Sequence, residues 1–343
     1  MKEDLPQQLP EPIQALLDPG TYPDPPDKIE LVQTQMSFVF LTRDLVYKVK
    51  KPVNLGYLDY TTLDSRRFYC QREVELNQRL CPDAYLSVAS ISQNNGGIRI
   101  EGKGKTLEYA VKMRHLPREA MMNELLTTND VSTKMITEVA RTLVEFHSNA
   151  ETGDNINRFG DLQTVSGNSE ENFSQTIPYI GKTISQERYR NLKKYSIGFI
   201  ESNVPLFRKR IVDNKIRDCH GDLHTAHVCF TNPISIYDCI EFNDRFRYGD
   251  VASEIAFLAM DIDYHRRPDL ADCFINDYVN LSQDKDLLNL LNFYKCYRAY
   301  VRGKVECFKM DDPHISEEEN ERTFNRARQY FELAESYTGE TVA

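Results

Sequence analysis

The stretch 217–255, RDCHGDLHTAHVCFTNPISIYDCIEFNDRFRYGDVASEI, constrains this chain more than any other. His220, Asp222, His224 and His227 precede two short apolar runs, Val228-Cys229-Phe230 and Ile234-Ser235-Ile236-Tyr237. Asp238, Glu241, Asn243, Asp244 and Asp250 follow them. Thr231-Asn232-Pro233 between the runs is turn chemistry, so the pattern reads as a β-hairpin. Such a hairpin would bring Asp222, before its first strand, close to Asp238, after its second, although 16 residues separate them. Two carboxylates at the mouth of one hairpin suit a divalent cation and a phosphate chain.

Composition removes several classes of function. The chain has 343 residues, 41% hydrophobic and 27% charged, enough for one large two-lobed domain or two ordinary ones. A net charge of −10 argues against a general nucleic-acid binder or a binder of acidic membranes, since both need clustered positive charge. No apolar run approaches the ~20 residues of a membrane helix. The opening MKEDLPQQLPEPIQ has no apolar signal region. Eight cysteines are scattered without C-x-x-C pairs and read as reduced thiols of a cytoplasmic protein. A zinc site on Cys219 and the nearby histidines would fit no standard spacing.

Spacing within the central stretch narrows the phosphate chemistry. Kinase catalytic loops carry an Asp, then an Asn five positions on that binds metal, then a second metal-binding Asp beyond the next hairpin. The stretch resembles the aminoglycoside phosphotransferase and choline kinase group. That group has H-G-D-x-x-x-x-N, an apolar-apolar-Asp metal motif and an Asp-x-Ala that opens a helix. The matching residues are His220-Gly221-Asp222, Ile236-Tyr237-Asp238 and Asp250-Val251-Ala252. The run Asp238-Cys239-Ile240-Glu241-Phe242-Asn243-Asp244 resembles one bacterial branch of the group, often fused to a P-loop ATPase domain. No G-x-x-x-x-G-K-[ST] occurs here, so the phosphotransferase-like part alone is expected.

The resemblance implies an α+β, bilobal, protein-kinase-like fold: a small N-terminal antiparallel β lobe with one helix, then a larger, mainly α-helical lobe. The expected divisions are an extended lead-in over 1–28, a nucleotide-binding lobe over 29–114 and a catalytic and acceptor-binding lobe over 115–343. It implies ATP with Mg²⁺ as cofactors, a small-molecule acceptor and γ-phosphoryl transfer. Asp222 would accept the acceptor's proton or orient it, with His220 steadying the loop and Asp238 holding the metal. Asp250 would cap the next helix or hold the catalytic loop.

Read in order, residues 1–28 hold many of the 15 prolines, with one helical turn near Ile13–Leu17. Alternating runs at Ile29–Val32, Ser37–Leu41 and Leu45–Lys50 read as strands. By family register Lys48 on the third strand would hold the α- and β-phosphates. Lys50 shares its face and is the runner-up; a solvated basic edge accounts for the strand equally well. The glycine-rich loop is replaced by Thr34-Gln35-Met36-Ser37, whose amides, with Ser37, would line phosphates. A helix over 62–80, capped by Thr62 or Asp64, offers Glu73 as the partner of the lysine. Strands at Tyr85–Val88, Gly97–Ile100 and Tyr109–Met113 lead to a hinge. There the backbone near Lys112, Met113 and Arg114 would meet adenine. Met135–Ala150 reads as a helix ending in a satisfied His147. Residues 151–180 read as a long polar insertion, which in the related enzymes carries helices shaping the acceptor pocket. Helices are expected over 185–201, from Val251, over 274–281, over 287–308 and over 317–337. On the fourth of these, Arg298 and Arg302 share a face, read either as anion recognition or as structural ion pairs.

The departure from the family pattern is His227 where Asn is usual. Mg²⁺ prefers oxygen ligands, whereas imidazole suits Mn²⁺ or Zn²⁺. Either His227 does not ligate, or the metal preference shifts, or Glu241 or Asn243 substitutes. Two other activities fit the same fold: a nucleotide-binding pseudokinase acting as a sensor, and transfer of AMP with release of pyrophosphate.

Overall fold

The computed structural model describes residues 9–313 and 315–339, so part of the expected lead-in over 1–28 lies outside the described residues. The chain forms two compact units, Met1–Ala120 with Thr231–Asp244, and Met121–Phe230 with Arg245–Ala343. A single boundary near residue 114 is therefore not what is observed. The segment 231–244 belongs with the first unit, because its side chains bond to the sheet and helix there, as described below.

The first unit begins with a short helix α1 (Glu11–Ala15). A six-stranded antiparallel sheet follows: β1 (Glu30–Gln33), β2 (Ser37–Leu41), β3 (Leu45–Lys50), β4 (Tyr85–Asn94), β5 (Gly97–Ile100) and β6 (Lys105–Arg114). The strand order is β1-β2-β3-β6-β4-β5. Helix α2 (Leu63–Asn77) lies in sequence between β3 and β4 and is capped by the Thr62 side chain, which accepts from Ser65 N.

Strand β3 shows how the sequence divides the two faces. Its side chains alternate, so Tyr47 and Val49 point one way while Val46, Lys48 and Lys50 point the other. Tyr47 and Val49 join Phe38, Phe40, Ala89 and Ile91 in one core, which Ile13, Leu16 and Tyr22 cover. The described part of the lead-in is thus a packed layer, and Tyr22 donates to the Leu16 carbonyl over 2.8 Å. Val46 joins Cys70 and Val74 of α2 in a second core with Tyr85, Val111 and Met113. Lys48 and Lys50 therefore lie under α2 and not along an exposed edge.

The second unit is mainly helical. Its helices are α3 (Met122–Thr128), α4 (Thr133–Asn149), α5 (Asp154–Asn157), α6 (Leu162–Thr176), α7 (Gln186–Ser202) and α8 (Val204–Val212). Strands β7 (Ile216–Asp218), β8 (Val228–Cys229) and, in the first unit's segment, β9 (Ser235–Ile236) follow, then α9 (Asp244–Arg247) and β10 (Tyr248–Asp250). The rest is α10 (Val251–Tyr264), α11 (Pro268–Ser282), α12 (Leu287–Lys309) and α13 (Glu317–Ser336). Helix α10 is buried from Val251 through Ile262 and packs against α11 and α12. Its start is fixed by Asp250, which caps Ala252 N and pairs with buried Arg210 through both guanidinium Nε and Nη2.

Residues 151–180 are largely helical rather than an open insertion. The buried side of α6 is Ser169, Asn172, Phe173 and Thr176, mostly small or polar groups that a hydrophobic period does not register. Two of the polar groups are bonded: Lys304 donates to Asn172 Oδ1 over 2.6 Å, and Thr176 Oγ1 donates to the Asn172 carbonyl. Phe173 packs on Tyr300 with ring centroids 4.5 Å apart.

Leu16 is fully buried beneath the sheet. Leu16→Ala is expected to lower the unfolding free energy by about 2–5 kcal/mol in urea titration. A loss below about 1 kcal/mol would mean that the N-terminal layer does not dock on the sheet.

Candidate functional site

Each unit carries its own cluster of charged groups. In the first, Glu73 of α2 is fully buried and faces both lysines of β3. Lys48 Nζ lies 2.8 Å from Glu73 Oε1 and 2.7 Å from Asp238 Oδ1. Lys50 Nζ lies 2.6 Å from Glu73 Oε2 and is also paired with Glu241. Tyr60 donates its hydroxyl to Glu241 over 2.6 Å. Burial alone would lower both lysine pKa values. For Lys48, Asp238 and then Glu73 outweigh it; for Lys50, Glu241 and then Glu73 do. Both ammonium groups are held well above the ordinary lysine value.

These contacts separate the two lysines. Lys50 is 1% exposed and closes a network with Glu73, Glu241 and Tyr60. Glu241, named from sequence as a substitute metal ligand, has its carboxylate committed there. Lys48 is more open, with a side chain 20% exposed, and Asp238 more open still at 41%. Asp238 has φ of 62°, the left-handed region, which costs a non-glycine residue energy unless neighbours hold it. Two bonds do so: Asp238 N–H donates to the Tyr85 hydroxyl and Cys239 N–H to Asn77 Oδ1. The carboxylate is thereby aimed by its backbone.

Three sequence expectations meet different surroundings. The Thr34–Ser37 turn is closed on itself, since Thr34 Oγ1 accepts the N–H groups of Met36 and Ser37 and Ser37 is buried. Those amides, expected to line phosphates, are already used. At the expected adenine-binding backbone, Arg114 N–H donates to the Ala84 carbonyl and His115 N–H to Asp44. Met113 is buried in the core beside α2. Asn243 Nδ2 donates to the Tyr57 carbonyl.

The second unit holds the 220–227 loop. Glu254, in the first turn of α10, takes the N–H groups of His220 and Gly221 on one oxygen, each at 2.7 Å. Its other oxygen is 2.6 Å from His147 Nε2, and His147 Nδ1 is 2.8 Å from the Tyr278 hydroxyl. Arg298 donates to the Gly221 carbonyl and to Ser253, so it is engaged with the loop rather than presented to an anion. His220 is fully buried, and its Nδ1 accepts the Asp222 N–H over 3.3 Å. It positions the loop from within. Cys219 lies with His147 and Glu254, not with His224 and His227.

Asp222 emerges from this frame with its side chain 36% exposed. Its Oδ2 is 3.6 Å from His224 Nε2 and 3.6 Å from His227 Nδ1. Partial burial would raise its pKa, but His224, His227 and Arg302 hold it well below the usual carboxylate range. An ionised Asp222 can accept a proton or orient a hydroxyl across ordinary pH. Sequence reading missed Glu254. The available signal was one acid inside an otherwise apolar helix run, Val251 to Met260, where an isolated charge needs partners.

No protein-family model matches the chain. It is 32% identical over 282 residues to the uncharacterized protein Rv2004c of Mycobacterium tuberculosis and, equally, to the uncharacterized protein Mb2027c of Mycobacterium bovis. Each alignment covers 82% of this chain and 55% of the relative, so the chain spans about half the length of those curated relatives. Among solved structures, the GDP complex of aminoglycoside 2'-phosphotransferase-IIIa superposes with a TM-score of 0.53 at 13% identity, covering 91% of this chain and 93% of that one. Spectinomycin phosphotransferase, in complex with ADP and spectinomycin, gives 0.53 at 13% identity, covering 97% and 99%. The chain has the protein-kinase-like fold of these phosphotransferases.

The Glu254 network carries a pH consequence. Burial would raise the Glu254 pKa, but His147, His220 and the Gly221 N–H hold it at about 2, below its ordinary 4.5. A depressed carboxylate stabilises the fold above its unfolded pKa and loses that contribution as pH falls toward the folded value. Between pH 6 and pH 3 this one group should account for about 2 kcal/mol of lost stability. Glu254→Gln should be less stable than wild type at pH 6 and show a flatter decline on acidification, read from urea midpoints. Parallel pH profiles for the two proteins would refute the assignment.

Proposed function

We propose that this chain is an ATP-dependent phosphotransferase that moves the γ-phosphate to a hydroxyl or amine of a small-molecule acceptor. One observation carries the proposal: the cluster of Lys48, Lys50, Glu73, Glu241 and Asp238. Two ammonium groups there face three carboxylates. Glu73 and Glu241 are buried within it, so the cluster, which carries one more carboxylate than ammonium, meets solvent at Asp238, the exposed and backbone-aimed member. Such a carboxylate fits a hard dication, Mg²⁺ or Mn²⁺. When bound, that cation would neutralise phosphate charge.

Lys48 would then hold the α- and β-phosphates, kept in place by Glu73. Lys50 would fix Glu73 and Glu241 without touching nucleotide. Asp222 would accept the acceptor's proton or align it for in-line attack, on a loop held by Glu254, His147 and Arg298. Phosphoryl transfer requires mostly positioning and charge neutralisation, which these residues supply.

A second reading, a nucleotide-binding module without turnover, draws on one feature. The turn that replaces the glycine loop spends its own amides on Thr34. AMP transfer is distinguished by its product, pyrophosphate in place of ADP.

Thermal stability with ATP, ADP or GTP, each with Mg²⁺ or Mn²⁺, tests nucleotide binding. A ligand at 100 times its Kd should stabilise by about 2.7 kcal/mol. Asp238→Ala and Lys48→Met should abolish the metal-dependent shift while leaving the apo protein folded. Lys50→Met should instead destabilise the apo protein by about 3–5 kcal/mol, because it strands buried carboxylate. No shift with any nucleotide in folded wild type would end the kinase reading.

Once an acceptor is found, Asp222→Asn should lower the rate of ADP release by about 10²- to 10⁴-fold with nucleotide affinity retained. An unchanged rate would remove Asp222 from the chemistry.

A further inference from the structure

His224 and His227 have no part in the scheme above, yet each stands against Asp222. Ligand-capable atoms of Asp222, His224 and His227 all lie within 4.8 Å of one another. We propose that these three side chains form a binding site for a divalent transition-metal ion of the Mn²⁺-to-Zn²⁺ series, distinct from the nucleotide's dication at Asp238. The inference stands without the phosphotransferase reading, because all three ligands belong to the second unit and need no nucleotide.

Four observations support it. Two imidazoles and one carboxylate make a mixed nitrogen and oxygen set, which suits Mn²⁺, Co²⁺ or Zn²⁺ and disfavours Mg²⁺. The spacing is close to what an ion requires. Two ligands bound at about 2.0–2.2 Å on one ion stand roughly 3–3.5 Å apart, and Asp222 Oδ2 is 3.6 Å from both histidines. The His227 ring is also turned toward the site: its Nδ1 faces the same Asp222 oxygen, and the 2.8 Å bond that this nitrogen donates to the Asp222 carbonyl is the one that ligation through it would replace. Finally, the turn that carries both histidines is anchored. Asp261 Oδ2 accepts the Thr225 N–H at 2.9 Å and the Thr225 hydroxyl at 2.6 Å.

The remaining contacts define what binding would change. His224 Nδ1 accepts the Ala226 N–H over a long 3.3 Å, so Nε2 carries the ring proton in the metal-free protein. Ligation through Nε2 moves that proton to Nδ1 and gives up this one bond. Arg302 contributes positive charge near Asp222, and Asp261 offsets it. Three protein ligands leave positions open for water or an acceptor oxygen, as in catalytic and not in closed structural sites. The side chains of His224 and His227 are 9% and 13% exposed, against 36% for Asp222.

The test is titration of the metal-stripped chain with Co²⁺ in the absence of nucleotide, read by visible d–d absorption and by calorimetry. Zn²⁺, Mn²⁺ and Mg²⁺ are run beside it by calorimetry. One Co²⁺ per chain is expected, bound at least tenfold more tightly than Mg²⁺. His227→Asn and His224→Asn should each weaken it at least tenfold, and Asp238→Ala should leave it unchanged. Circular dichroism confirms folding, with His227→Gln replacing any variant that does not fold. Absent Co²⁺ binding, binding indifferent to both histidine changes, or binding lost in Asp238→Ala would each overturn the proposal. Failure of the nucleotide shift with Co²⁺ binding intact would instead sink only the phosphotransferase reading.

Discussion

One buried carboxylate sets the chemistry of the first unit. Glu73 has no exposure to water, and an isolated charge there would be strongly destabilising. It is tolerable because two ammonium groups of one strand reach it, one to each oxygen. That requirement fixes the register of α2 on the sheet and the face of β3 that carries the lysines. It also recruits Glu241 and Tyr60, which complete the surroundings of Lys50. Buried ion clusters of this kind stabilise little in net terms, since desolvation offsets attraction, but removing any one member is costly. The cluster is better understood as a positioning device whose exposed end is Lys48 with Asp238.

The second unit solves a similar problem with backbone. The 220–222 loop turns sharply, with Gly221 at φ of 90°, and its N–H groups point inward. Buried amides must be paired, and Glu254 pairs two of them at once while Arg298 takes the Gly221 carbonyl. Asp222 then needs only one further bond, to His220, to be fixed at its N–H. Both units thus present an accessible carboxylate on a turn whose backbone groups are hydrogen-bonded, and in both a fully buried glutamate lies behind it.

Much of the fold was legible because apolar periodicity is strong where cores are apolar. Strand β3 alternates in residue type from Tyr47 to Lys50, and α10 is an unbroken buried run. The pairing of Glu73 with a lysine followed from their order along the chain. The division of labour between Lys48 and Lys50 did not, because period-2 alternation places both on one face and burial alone separates them. Helix α6 was hidden because its inner face is largely Ser169, Asn172 and Thr176, with Asn172 held by a hydrogen bond from distant Lys304. Glu254 was hidden for a related reason: its partners are backbone groups more than thirty positions upstream, which no local pattern encodes. Segment 231–244 was assigned to the helical unit by order along the chain, whereas its bonds to Asn77, Tyr85, Lys48 and Lys50 place it with the sheet.

The substitution of His for Asn at position 227 acquires meaning only beside His224. A single imidazole at that point would be a weak and ambiguous ligand. Two rings whose centroids are 4.0 Å apart, both facing one carboxylate oxygen, form a set. The same pair has an effect even without an ion. Together with Arg302 they keep Asp222 ionised, and a carboxylate held so far below its ordinary pKa is a weak base. It is better suited to orienting an acceptor, or to ligating a cation, than to carrying a proton away. That balance favours a reaction in which alignment and charge neutralisation do most of the work, the regime in which phosphoryl transfer operates.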